Sequence, residues 1–189
     1  LPHGGAAEVV GLGADSVFAL PDNLSFEQGA AIPMNYLTAQ FALKERGQVR
    51  EGETVLVHGA AGGVGTATLQ VAKGYGARTI AVVSTEEKAE VARRAGADDV
   101  VLVDGFLKAV KELTDGVGVA ATLECVGTGQ SMQTAISVAR AGSMVGYVGV
   151  PHGVELPIGH MFAHNVGVRG GGAPARVYIP ELLDDVLEG

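Results

Sequence analysis

The sequence predicts a doubly wound α/β fold around a six-stranded parallel sheet. Three observations carry this reading. From Glu51 onward short β-type runs alternate with helical stretches. The β-type runs are continuously apolar rather than alternating, as strands covered on both faces must be. The 29 glycines, about twice the usual share of roughly 7%, are not periodic, so they mark turns between short elements and exclude collagen. With 47% hydrophobic and 18% charged residues, the chain can fill a core and is not expected to be disordered.

Taken in order, Thr54–His58 reads as a buried strand and Val64–Tyr75 as the helix after it. Thr79–Val83 is the next strand, followed by a helix over Glu86–Ala95 whose first turn carries acids that suit the helix dipole. Val100–Val103 is a strand, Gly105–Thr114 a helix, Ala120–Glu124 a strand and Gln130–Arg140 a helix. Ser143–Val148 and Val166–Arg169 complete the six strands. No repeat and no low-complexity linker interrupts them.

The first fifty residues differ. Ala7–Val10 and Ser16–Leu20 are short β-like pieces, ended by Pro21-Asp22-Asn23. Ser25 with Gln28 three residues on forms a capping box that starts a helix, and a second helix is expected from about Tyr36 to Glu45. This divides the chain into a remnant of another domain, residues 1–24, and an α/β domain, residues 25–189. The absence of an initiating Met and a helical pattern still running over Leu182–Gly189 point to a piece of a longer protein.

The net charge of −8, with no basic block and no Trp, argues against nucleic acid or an anionic membrane as the main partner. No apolar run approaches the roughly 20 residues that cross a bilayer, and Leu1–Gly5 lacks the layout of a signal peptide. Cys125 is the only cysteine, which excludes an internal disulfide and a cysteine-rich zinc site and fits a cytoplasmic location. His152, His160 and His164 lack the acid motif of a metal site and read as surface or interface residues. No metal site is expected.

The chemistry lies in Gly59-Ala60-Ala61-Gly62-Gly63-Val64-Gly65. Gly62 and Gly65 hold the second and third glycine positions of a Gly-x-Gly-x-x-Gly turn, with Ala60 at the first. Such a turn lets backbone meet a pyrophosphate at a helix N-terminus, and here it sits between a predicted strand and helix, the Rossmann context. The cofactor type follows from the end of the second strand. An acid there would bind the 2′-hydroxyl of NAD. This chain has Val82-Val83-Ser84-Thr85 instead, and Ser84, Thr85 and Lys88 can meet a 2′-phosphate, so NADP(H) is favoured over NAD(H).

These residues, with Leu20–Pro33, Met34–Ala39, Glu51–Gly65 and Glu124–Gly127, resemble the medium-chain dehydrogenase/reductase superfamily, in its zinc-free quinone-oxidoreductase-like branch. The stretches Leu123–Met132 and Val145–Glu155 look more like zinc-dependent alcohol dehydrogenases. The resemblance implies that residues 1–24 end a GroES-like catalytic domain. It places Thr38 beside the nicotinamide, Val126-Gly127 over its ribose side, Val148-Gly149-Val150 at the carboxamide, and Asn35 and Tyr36 toward the active-site cleft. On sequence grounds alone Val126 and Val150 read as core. Cys125, near the cofactor on the same strand end, reads as a small hydrophobe rather than a nucleophile, because no base partners it. Met34 stands where the zinc enzymes carry a cysteine ligand, and a thioether suits Zn²⁺ poorly.

The implied activity is NADPH-dependent reduction of a quinone or enone, with Asn35, Tyr36 and Thr38 as hydrogen-bond donors to the substrate. An alcohol dehydrogenase or an enoyl reductase unit is the variant reading. The reading from another class is a dinucleotide-binding module that does not turn over by itself. A homodimer through the edge strand 166–169 is expected.

Overall fold

The computed structural model describes residues 5–188. Its centre is a parallel sheet of β1 (Thr54–His58), β2 (Arg78–Val83), β3 (Asp99–Leu102), β4 (Val119–Glu124), β5 (Ala139–Tyr147) and β6 (Gly167–Gly170) in the order β3-β2-β1-β4-β5-β6. Every neighbouring pair is parallel, with Val55 of β1 opposite Thr79 of β2 and Ala121 of β4. The predicted doubly wound architecture is therefore present.

The apolar strands bury both faces. Val55, Val57, Ala81, Val83, Ala121 and Leu123 pack with Leu69 and Ala72 of α3 (Gly63–Gly74) and Ala89 and Ala92 of α4 (Glu86–Arg94). On the other face Leu56, Ile80 and Val82 pack with Phe106 and Val110 of α5 (Phe106–Leu113) and with Val138 of α6 (Gly129–Val138). A sheet covered in this way leaves only its strand ends free for chemistry.

Ser25 caps α1 (Phe26–Ala31) with the expected capping box. The chain then runs to Gly47 with α2 (Leu37–Phe41) set between two π-helical turns, Ile32–Tyr36 and Ala42–Gly47. Pro33, which has no N–H to give a ladder, sits in the first of these. Further along, α7 (Ile158–His164) precedes β6, and α8 (Ala175–Glu188) packs Tyr178, Ile179 and Leu182 on Ile32, Leu37 and Phe41.

Several elements differ from expectation. Ala7–Val10 and Ser16–Leu20 form no strand; Ala14–Ser16 is a single 3₁₀ turn, and Val9 and Val17 are exposed. A β-prone run needs a partner edge, and the described residues offer it none. Helix α6 stops at Val138 because Ala139 is extended and pairs with Val119, which puts Arg140 in β5 as well. The helical pattern noted over Leu182–Gly189 belongs to a helix that starts at Ala175 and continues through Pro180.

The decisive contact lies where β1 meets α3. A Cβ placed on Gly65 would stand 2.2 Å from the carbonyl oxygen of Gly59 and 2.7 Å from Cα of Ala60. The helix can lie this close to the strand only because residue 65 has no side chain. Gly74, at the other end of α3, has nothing within 4 Å of its would-be Cβ. Gly65→Ala should therefore cost about 3 kcal/mol through forced displacement of backbone. Gly74→Ala should raise stability by about 0.5–1 kcal/mol through lower unfolded-state entropy. Urea unfolding midpoints of the two variants check this, and equal shifts would contradict it.

Candidate dinucleotide site

The strand order reverses between β1 and β4, so the turns that follow these two strands lie on either side of one crevice. On the β1 side, Gly59 takes φ +68°, a left-handed conformation that a side chain would strain, and Gly62 donates its N–H back to the Gly59 carbonyl at 3.0 Å. Gly62 is the N-cap of α3, extended and without a capping side chain. The first N–H groups of the helix, at Gly63, Val64 and Gly65, are thus available to an anion. Ala61 lines the adjoining cleft, whereas Ala60 is fully buried and donates to Val82.

Opposite stands a turn organised by a group that the sequence reading did not single out. The side chain of Glu124, fully buried at the end of β4, accepts from the N–H of Val126 (2.8 Å) and of Gly127 (2.9 Å) and from the Ser131 hydroxyl (2.8 Å). Its backbone carbonyl accepts from Val148 (2.9 Å) and Gly149 (3.1 Å) at the end of β5. A buried carboxylate is tolerable only when donors surround it, and these donors tie both turns to one residue. An acid closing an apolar strand and followed by a turn glycine was the signal available in the sequence.

Close backbone approaches bring three turns together here. A Cβ on Gly59 would reach Val126 at 3.0 Å, one on Gly127 would meet the Val150 carbonyl at 2.5 Å, and one on Gly149 would strike the Gly127 nitrogen at 2.4 Å. Val126 and Val150 are 49% and 69% exposed, so the core reading of both is overturned; they stand at the crevice because their turns carry them out of the sheet. Val148 packs at the edge of the core. Burial, reinforced by the Glu124 charge, pushes the Cys125 thiol up to about 12, as expected of a packed thiol rather than a nucleophile.

Asn35 lies beside Gly63, its side-chain amide 3.0 Å from where a Cβ would stand, and so borders the first turn of α3. Tyr36 donates its hydroxyl to Gln70 of α3. This bond ties the Tyr36 side chain to α3, the helix whose first turn borders the site. Thr38 is half-buried on α2, which packs on α3. Met34 is exposed.

From the crevice a cleft of about 750 Å³ extends over the ends of β2 and β3. Ser84, just past β2, accepts from Lys88 Nζ at 3.0 Å, and both line the cleft. Thr85 serves mainly as the N-cap of α4, accepting from the Lys88 N–H. The floor carries His58, whose ring meets Phe106 edge-on at 5.5 Å and whose Nε2 is buried without a hydrogen-bond partner. Burial lowers its pKa from 6.5 to about 4, so the floor is uncharged near neutrality. His160 and His164 stack on each other at 4.2 Å, and among the described residues no three His, Cys, Asp or Glu side chains converge as a metal would need.

The family whose sequence model matches residues 63–188, more than half of the chain, is described as zinc-binding dehydrogenase. The chain belongs to that family, within the medium-chain dehydrogenase/reductase superfamily. The chain is 39% identical over 128 residues to a quinone oxidoreductase of Pseudomonas aeruginosa, covering 67% of the chain and 39% of the relative. It is 33% identical over 161 residues to a 2-haloacrylate reductase of a Burkholderia species, covering 83% and 47%. Among solved structures it superposes on a Pseudomonas syringae quinone oxidoreductase with a TM-score of 0.81 at 31% identity, over 92% of the chain and 57% of that protein. A mycobacterial protein complexed with NADPH gives 0.81 at 28% identity, over 93% and 57%. The quinone-oxidoreductase-like branch is thus supported, and the chain spans less than half the length of the two sequence relatives.

His58 generates a pH prediction. An unfolded histidine binds its proton near pH 6.5, whereas the folded chain resists protonation of His58 until about pH 4. Its contribution to stability is therefore full above about pH 6.5 and is lost as pH falls toward 4, by about 3 kcal/mol in all. Urea unfolding of wild type and His58→Phe at pH 7 and pH 4 should show the stability difference moving by that order in favour of the variant at pH 4. A difference independent of pH would contradict this assignment.

Proposed function

We propose that the chain is the cofactor-binding part of an NADP(H)-dependent oxidoreductase that reduces a quinone, an enone or a similar electrophilic substrate. The observation that carries this reading is the pair of facing turns, 59–65 and 124–127, whose glycines let backbone approach closely at the crevice between β1 and β4. A dinucleotide fits there, with its pyrophosphate against the N-terminus of α3 and its adenosine half over the cleft past β2. Bound nicotinamide supplies hydride chemistry. The protein's part is to hold and shield the ring, a role we assign to Thr38, Val126, Gly127, Val148, Gly149 and Val150. Asn35, Tyr36 and Thr38 are the candidate donors toward a substrate.

Ser84 and Lys88, with no acid at the β2 tip, favour the 2′-phosphate of NADP(H) over the bare ribose of NAD(H). Residues 1–24 are assigned to the end of a GroES-like substrate domain and residues 25–189 to the cofactor domain. Their exposed Val9, Val17 and Phe26 fit a surface that a larger domain covers. Edge strand β6, beside the exposed Ile158 and Phe162 of α7, suits a homodimer. The single cysteine fits a reducing cytoplasm.

The chain alone should bind NADPH without turnover, because the substrate domain lies largely outside it. Gly62→Ala places a Cβ only 3.4 Å from the Gly59 carbonyl, an ordinary contact, so the variant should fold. It should nevertheless lose affinity for NADPH by about tenfold or more, because backbone can no longer approach the pyrophosphate. NADPH fluorescence titration with thermal melts checks both points. Unchanged affinity in Gly62→Ala, or quinone reduction by this chain alone, would contradict the proposal.

A further inference from the structure

The charged side chains lining the cleft past β2 are Lys88 and Lys108, in a chain of net charge −8. They come from different helices. Lys88 lies in the first turn of α4, its ammonium on the Ser84 hydroxyl at 3.0 Å. Lys108 lies in the first turn of α5, with its N–H on the Gly105 carbonyl at 3.1 Å. The two helix starts are neighbours because Val103, just after β3, donates to the carbonyl of Val83 at the end of β2 at 2.9 Å. Phe106 anchors α5 by burying its ring against His58, which fixes where Lys108 emerges.

The floor of Val82, Phe106 and neutral His58 suits a base, and Lys88 and Lys108 line the cleft from the first turns of α4 and α5. The nearby acids, Glu86, Glu87 and Asp104, do not line the cleft. Lys108 reaches Glu112 only at 3.8 Å and is 84% exposed, so that pair is weak and the side chain is free to turn inward. Lys88, already held by Ser84, is the less mobile of the two.

We infer that Lys108 is a second cation for the 2′-phosphate of adenosine, closing on it from the α5 side while Lys88 and Ser84 hold it from the α4 side. A phosphomonoester carries close to two negative charges near neutrality, which one lysine leaves partly unmatched. This assignment rests on the reading that the adenosine half of NADP(H) occupies the cleft. It makes cofactor preference a property of two separate helices, one of which lies outside the segment around the β2 tip that a fingerprint would inspect.

The test compares wild type, Lys88→Gln, Lys108→Gln and Lys108→Arg by calorimetric titration with NADPH, NADH and 2′,5′-ADP. Lys108→Gln should weaken NADPH and 2′,5′-ADP about fivefold, an effect that shrinks with added salt, and leave NADH within about twofold. Lys108→Arg should retain the preference, which a merely steric role would not predict. Equal weakening of NADPH and NADH, or no change in either, overturns the inference while leaving the dinucleotide reading in place. A wild-type chain that binds neither dinucleotide overturns both.

Discussion

Everything at this site depends on how closely α3 approaches the end of β1. The carbonyl of Gly59 and the Cα of Ala60 occupy the space that a side chain at Gly65 would need, so the helix is set directly against the strand. That contact aims the free N–H groups of α3 into the crevice where the strand order reverses. A helix set further out would leave the same amides facing solvent over a wider gap. The glycine at 65 is a packing requirement first, and the anion-binding geometry follows from it.

The opposite wall is fixed by electrostatics rather than by sterics. Glu124 gathers Val126, Gly127 and Ser131 on its carboxylate and Val148 and Gly149 on its carbonyl, so the turns after β4 and β5 move as one piece. The charge of this carboxylate is offset by donors that exist only when those turns are folded correctly. Stability and site geometry are therefore coupled at a single residue: losing the carboxylate would release Val126, Gly127 and Ser131, while the backbone bonds to Val148 and Gly149 remain.

The sheet and the first turn were legible in the sequence because they rest on short-range rules: apolar runs, intervening helices, and glycines at fixed offsets. The β1–α3 unit and the capping box at Ser25 needed no tertiary information. What was not legible depends on partners far along the chain. Residues 7–20 have strand-like composition and no strand to pair with. Arg140 leaves its helix because Val119 receives Ala139 in the sheet. The bond from Tyr36 to Gln70, 34 residues away, has no local signal either. Val126 and Val150 look like core by residue type and are exposed by position. Glu124 stood inside a quoted motif, yet its role emerges only when its donors are seen around it. The family resemblance, by contrast, was carried by local motifs, and the match over residues 63–188 agrees with it.

The central claim is that the turns 59–65 and 124–127 face each other as the two sides of one dinucleotide site. Amide chemical shifts of the isotope-labelled chain, followed during titration with NADPH, test it most directly. The account predicts the largest changes at Gly62, Gly63, Val64 and Gly65 together with Val126 and Gly127, saturating with a single dissociation constant. Shifts confined to one of the two turns, or centred away from both, would contradict it.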